Sequence, residues 1–132
     1  MEKWKEIFKN KIPNDIYNVK LSNGEKDGLL IILYNSKRNV KIYFGAVRAV
    51  RMLDEGIVMN GTYSENELKR FKKNNFSNVI YEIKNGDFGN QISMMAGQYY
   101  FALNLKHYVI ITMNFDIDVI TEWEPEIEIV EN

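Results

Sequence analysis

Apolar positions recur mostly at every second residue along this chain, so strands should dominate its architecture. Residues 16–21 alternate through Tyr17, Val19 and Leu21, and Ser22-Asn23-Gly24 follows as a turn. Residues 29–34 are apolar on both faces, which predicts a central strand or one covered by a helix. Residues 40–44 carry Val40, Ile42 and Phe44 on one side. Gly45 then marks a bulge or break before a further strand over 47–53. Residues 57–59 read as a short edge strand, and strands are also expected over 79–83, 99–103 and 126–130.

Helical signals are fewer. Trp4 and Phe8 stand four residues apart, which predicts a short helix over residues 3–11 that Pro13 closes. Ser64-Glu65-Asn66-Glu67 has the spacing of a capping box, with Ser64 as N-cap, Glu67 at N3, and Tyr63 and Leu68 as the hydrophobic staple. That helix should end in its basic turn of Lys69, Arg70, Lys72 and Lys73, which complements the helix dipole. A second helix is predicted from Asp87 as cap to Gly97, with Phe88, Ile92 and Met95 as its buried stripe. Strands interrupted by short helices, without βαβα alternation, define the class as α+β. The expectation is one antiparallel or mixed sheet of about six to eight strands, with two or three short helices.

The clearest hairpin joins residues 107–112 to 115–120 through Met113-Asn114. A two-residue loop sets Ile110 opposite Ile117 and Tyr108 opposite Val119, gathering Tyr108, Ile110, Phe115, Ile117 and Val119 on one apolar face. The other face then carries His107, Val109, Ile111, Asp116, Asp118 and Ile120, a mixed surface that is either partly solvated or covered by something polar. Asn114 suits a positive φ in this loop and Met113 does not, so a longer loop is an alternative.

Composition places limits on the class. A chain of 132 residues has room for one core, so residues 1–132 are read as one domain. The chain lacks cysteine, which argues against a disulfide scaffold and a thiolate zinc site. Its first ten residues contain no apolar h-region, and its longest apolar run is far too short to cross a bilayer, so a cytoplasmic protein without membrane contact is expected. Charge is unevenly distributed. All 17 basic residues lie at or before Lys106, whereas the 26 residues from His107 onward hold seven acids and no lysine or arginine. Such asymmetry bears on partners more than on fold.

Candidate chemistry is sparse. His107, the one histidine, falls diagonally across the hairpin from Asp118, within reach of an ion pair or a hydrogen bond. No residue supplies a nucleophile beside them. Asp116 and Asp118 share a face but are too few for calcium, so neither a metal nor another cofactor is expected. Gly86-Asp87-Phe88-Gly89 lacks the spacing and the lysine of a phosphate loop. The basic helix end beside Phe71 fits a solvated dipole better than a nucleic-acid contact, since the acidic C-terminus would repel a polyanion. The acidic segment itself reads either as edge-strand protection or as a docking surface, with Tyr108 and Trp123 as anchors among Asp116, Asp118, Glu122, Glu124 and Glu126.

The run 105–112, Leu-Lys-His-Tyr-Val-Ile-Ile-Thr, followed by Ile117-Asp118-Val119-Ile120 and Pro125-Glu126-Ile127, resembles the ending of a group of small bacterial proteins that in turn resemble toxin-immunity proteins. The segment 44–55, with Arg48, Arg51, Asp54 and Glu55, fits the same appearance. The resemblance implies a non-catalytic protein that binds and neutralises a cognate basic toxin, here through an acidic sheet surface. It implies no catalytic residues. The alternative is a ligand-binding or enzymatic domain with a pocket near Tyr99, Tyr100 and His107, and a further expectation is a homodimer formed through the C-terminal strand.

Overall fold

The computed structural model of the chain describes residues 1–58, 61–97 and 103–132. In chain order these residues form β1 (Lys3–Glu6), β2 (Asn18–Gly24), β3 (Gly28–Tyr34), β4 (Arg38–Gly45), β5 (Ala49–Asp54), a 3-10 turn (Glu55–Ile57), α1 (Glu65–Lys72), β6 (Ile80–Lys84), α2 (Asp87–Ala96), β7 (Lys106–Ile111), β8 (Phe115–Thr121) and β9 (Glu126–Glu131). The α+β class holds, but the single sheet does not. Among the described residues there are two antiparallel sheets, one ordered β1-β6-β7-β8-β5 and the other β2-β3-β4-β9.

The division has a local cause. The chain through β4 and β5 runs antiparallel to the chain through β8 and β9 with one unbroken offset: Arg38 faces Glu131, Tyr43 faces Glu126, Ala49 faces Ile120 and Asp54 faces Phe115. A single long ribbon is therefore folded over at residues 45–48 and 122–125, and each half joins a different sheet. Gly45 turns there with φ of 72°, and Pro125 has no N–H to continue the ladder. Arg48 holds the corner, its N–H donating to the Ile120 carbonyl at 2.8 Å and its Nη2 to Glu122 at 3.1 Å. The bulge expected at Gly45 is present, with the register shifting where Leu29 and Leu30 face β4. A Cβ at Gly28 would stand 2.3 Å from the Gly45 carbonyl carbon, so Gly28 cannot carry a side chain at that contact.

The folded ribbon brings the two sheets face to face. Leu29, Ile31, Leu33, Val40, Ile42 and Phe44 from the smaller sheet meet Ile80, Tyr108, Ile110, Ile117 and Val119 from the larger. Alternation explains the choice: each of these strands sends every second residue inward. β3 is central, as its two apolar faces predict.

The opposite face of the larger sheet forms a second core, in which Trp4, Tyr63, Phe71, Tyr81, Ile83 and Val109 pack together with α1. This core overturns the helix expected over residues 3–11. Trp4 lies on strand β1, paired with Ile83, and its ring sits 5.4 Å from Tyr81 and 5.5 Å from Tyr63. Pairing with β6 and aromatic burial outweigh the few tenths of a kcal/mol, roughly, that one i, i+4 pair gives a helix.

The capping box is also rearranged. Ser64 caps α1 by accepting from the Glu67 N–H at 3.4 Å, but the Glu67 carboxylate does not reach back to Ser64. It accepts instead from the Trp4 N–H at 2.7 Å. Glu2 takes its place, accepting from the Ser64 N–H and from the Trp4 indole Nε1, each at 2.7 Å. The two glutamates tie α1 to the edge strand β1, a role for which a local motif has no term.

α2 begins at Gly86 rather than at a side-chain cap from Asp87, and it ends as expected at Gly97. Its stripe is thinner than the pattern implied, since Phe88 and Ile92 are half-buried while Met95 is exposed. β5 starts at Ala49 instead of residue 47, and the edge strand expected over 57–59 is replaced by the 3-10 turn, with Met59 outside the described residues. Residues 99–102 of the strand expected over 99–103 also lie outside them.

Candidate functional site

The β7–β8 hairpin adopts the predicted register, with Ile110 facing Ile117 and Tyr108 facing Val119. Its two-residue loop is held by Thr112, whose N–H donates to the Phe115 carbonyl at 2.9 Å and whose hydroxyl accepts from the Phe115 N–H at 3.1 Å. Asn114 is not among the residues with positive φ. The side-chain bond from Thr112 supplies what the missing Asn-Gly turn would have given.

The mixed face of this hairpin points into the layer beneath the helices, and β5 adds Arg51 beside it. Arg51 and Asp118 are direct cross-strand neighbours. The Asp118 carboxylate is fully buried and accepts four hydrogen bonds. Arg51 donates from Nε at 2.9 Å and from Nη2 at 2.8 Å, and the Tyr63 hydroxyl donates at 2.7 Å, all three to Oδ2. His107 Nε2 stands 2.7 Å from Oδ1, so this nitrogen carries a hydrogen toward the carboxylate. The contact expected from the diagonal placement is therefore formed, as a hydrogen bond.

The cluster is closed from above by the start of α2. The Phe88 ring lies 4.5 Å from the Arg51 guanidinium carbon and edge-on to His107 at 6.0 Å. A Cβ on Gly86 would come within 3.0 Å of His107 Nδ1, so Gly86 permits the close approach of helix and imidazole. Burial works against the Arg51 charge, but Asp118 and its hydrogen bonds hold the guanidinium pKa above its ordinary value. Burial first, and then Asp118, raise the Tyr63 pKa far out of the physiological range, so its hydroxyl stays a donor. A buried charge this well partnered is a structural lock: removing one member leaves another uncompensated, at about 3–5 kcal/mol.

Asp116 lies two residues along the same face and differs in every respect but burial. It is 6% exposed, and among the described residues it has no hydrogen-bond donor. Burial, then Asp118 and Glu55, push its pKa up to about 7, against the partial relief of Arg51. It lines an open cleft of about 1050 Å³ between α1, the 3-10 turn and the hairpin end, walled by Val58, Leu68, Phe76, Val79 and Ile111.

These positions revise the expected acidic surface. Asp116 and Asp118 are interior groups, as is Tyr108, which packs 5.8 Å from Phe44 in the inter-sheet core. Tyr108 therefore does not anchor an exposed surface; burial, with Glu82 and Glu124, raises its pKa to about 12. Alternation set Asp116 and Asp118 on the face opposite the inter-sheet core, but α1 and α2 cover that face. Trp123, by contrast, is 62% exposed, and Glu124 and Glu126 are exposed beside it, with Glu122 half-buried and paired to Arg48. β9 continues outward with Glu126 and Glu128 and forms one edge of the smaller sheet. The site residues thus divide into an interior pair of aspartates and an exposed corner followed by an acidic edge.

The pocket expected near Tyr99, Tyr100 and His107 falls partly on residues outside the described ones, and His107 itself is buried. Sequence reasoning missed Arg51 and Tyr63 as partners of Asp118. The one available signal was an arginine in an otherwise apolar strand. Among the described residues no group of three histidines or acids has the geometry to hold a metal ion. No helix in the described residues is long and apolar enough to cross a membrane. Comparison of the chain with protein-family models, with curated proteins and with solved structures finds no match.

Proposed function

We propose that the protein is a non-catalytic binding module that receives a basic segment of a partner protein along β9 and the corner preceding it. The observation that carries this reading is the exposed Trp123 at the head of an acidic edge strand. A large aromatic side chain left in water beside free backbone donors and acceptors is what a strand-adding partner needs: main-chain hydrogen bonds for affinity and an anchor for position. Glu126 and Glu128 project from one face of β9, so a second copy added edge to edge would set like charges together. A strand carrying lysine or arginine would find opposite charges in the same places. An immunity-type inhibitor of a basic bacterial toxin, the function implied by the C-terminal resemblance, is the most specific form of this reading.

The test is binding of the purified protein to the toxin domain encoded beside its gene, measured by calorimetry at low and high salt. Affinity should fall with salt, and Trp123→Ala should lower it by at least about tenfold without changing the fold. Absence of binding at low salt, or full affinity in a Trp123→Ala, Glu126→Lys double variant, would sink the proposal.

A further inference from the structure

We propose that the cleft over Asp116 binds a small organic cation, a primary amine carried on an apolar body. This site lies near the opposite end of β8 from Trp123, and the inference does not depend on the partner surface proposed above.

The argument starts from the contrast between the two aspartates. Asp118 has four donors and needs nothing more. Asp116 is nine-tenths buried, lacks a donor among the described residues, and opens into a cleft instead of packing against protein. Its carboxyl oxygens open only onto the cleft, where burial disfavours their charge, and a ligand bringing a charged donor would stabilise the ionised form. Part of the wall suits an apolar body, with Leu68 from α1, Phe76, Val79 and Ile111 offering apolar surface.

The sign of the charge also follows from the lining. Around the cleft stand Asp15, Glu55, Glu65 and Asp116, against Lys69 and Lys72. Asp15 is already engaged by Arg38 at 2.8 Å, and at the rim the exposed Glu55 and Glu65 are balanced by the exposed Lys69 and Lys72, so the carboxyl of Asp116 itself sets the sign. Behind Asp116, Asp118 works against its charge and Arg51 relieves this only in part. An ammonium group approaching Asp116 passes a balanced rim and then meets an opposite charge, whereas an anion would meet a buried carboxyl.

Cation binding requires the ionised form of Asp116. With its pKa near 7 in the empty cleft, affinity should rise about tenfold between pH 6 and pH 8, and binding near neutrality should release a proton. Phenethylamine is a suitable probe, with 2-phenylethanol as its neutral counterpart and 3-phenylpropionate as its anionic one. Amide resonances of Leu68, Ile111, Thr112 and Asp116 would be followed by NMR as each is titrated. The amine should give saturable shifts at these residues, stronger at pH 8 than at pH 6, while the alcohol and the acid should bind at least about tenfold more weakly. Asp116→Asn should abolish the preference for the amine. Equal binding of amine and alcohol, an unchanged amine affinity in the Asn variant, or no saturable shift in the wild-type protein at pH 8 would each overturn the proposal.

Discussion

Asp116 and Asp118 are separated by one residue on β8, point to the same side of the sheet and are both buried, yet their electrostatic situations are opposite. Asp118 sits where three elements deliver donors: Arg51 from β5, His107 from β7 and Tyr63 from the segment before α1. Asp116 lies one pleat closer to the hairpin end, where its cross-strand neighbours are Leu53 and Ile111. The difference teaches that burial alone does not set the state of a charge. Partners do, and a shift of two residues along a strand is enough to gain or lose all of them.

The sharpest way to break this comparison is to remove the partnered carboxylate. Asp118→Ala leaves Arg51 half-buried without its counter-ion and His107 without an acceptor. It should destabilise the fold by about 3–5 kcal/mol, read as a loss in denaturant midpoint with little change in slope.

The unpartnered aspartate should behave in the opposite sense. Its native pKa is raised from 3.8 to about 7, so between those values the folded state binds the proton more tightly than the unfolded chain does. Stability linked to this group therefore falls as pH rises from about 4 through 7, and the cost is fully present above the native pKa. Asp116→Asn removes that cost. The variant should be more stable than the wild type by about 4 kcal/mol at pH 8 and indistinguishable at pH 4, as measured by urea unfolding at both values. A variant that is equally stable or less stable at pH 8 would mean that Asp116 has a donor in solution.

A finer probe is Tyr63→Phe, which takes one of four donors from Asp118 and leaves the ring packing on Trp4 intact. The expected loss is about 1–2 kcal/mol, the range for a hydrogen bond to a charged group. The same change should leave the pH dependence assigned to Asp116 in place, because Tyr63 donates to Asp118 alone.

Much of the fold is legible where periodicity is strong and contacts are local. The hairpin register follows from alternation, since a slip of one residue would have exchanged Tyr108, Ile110, Ile117 and Val119 for His107, Val109, Asp116 and Asp118. The His107–Asp118 pair follows from that register. What cannot be read this way is which side of the hairpin faces water. Charge on Asp116 and Asp118 points toward solvent, but α1, α2 and Arg51 come from distant parts of the chain and cover that face. Residues 3–11 fail for a related reason. Trp4 and Phe8 fit a helical face, but Tyr81, Phe71 and Glu67, which hold Trp4 in a strand, lie more than sixty positions away.

By itself, then, the sequence determined the α+β class, the helix start at Ser64 and the β7–β8 pairing, all properties of neighbouring residues and of strand alternation. The tertiary structure alone decided that one ribbon bends into two sheets, that Glu2 takes over the Glu67 role at the cap, and that one aspartate is locked while its neighbour lies open to a cleft. These outcomes depend on meetings between residues far apart in sequence, where packing and the supply of hydrogen-bond donors, not local preference, set the energy.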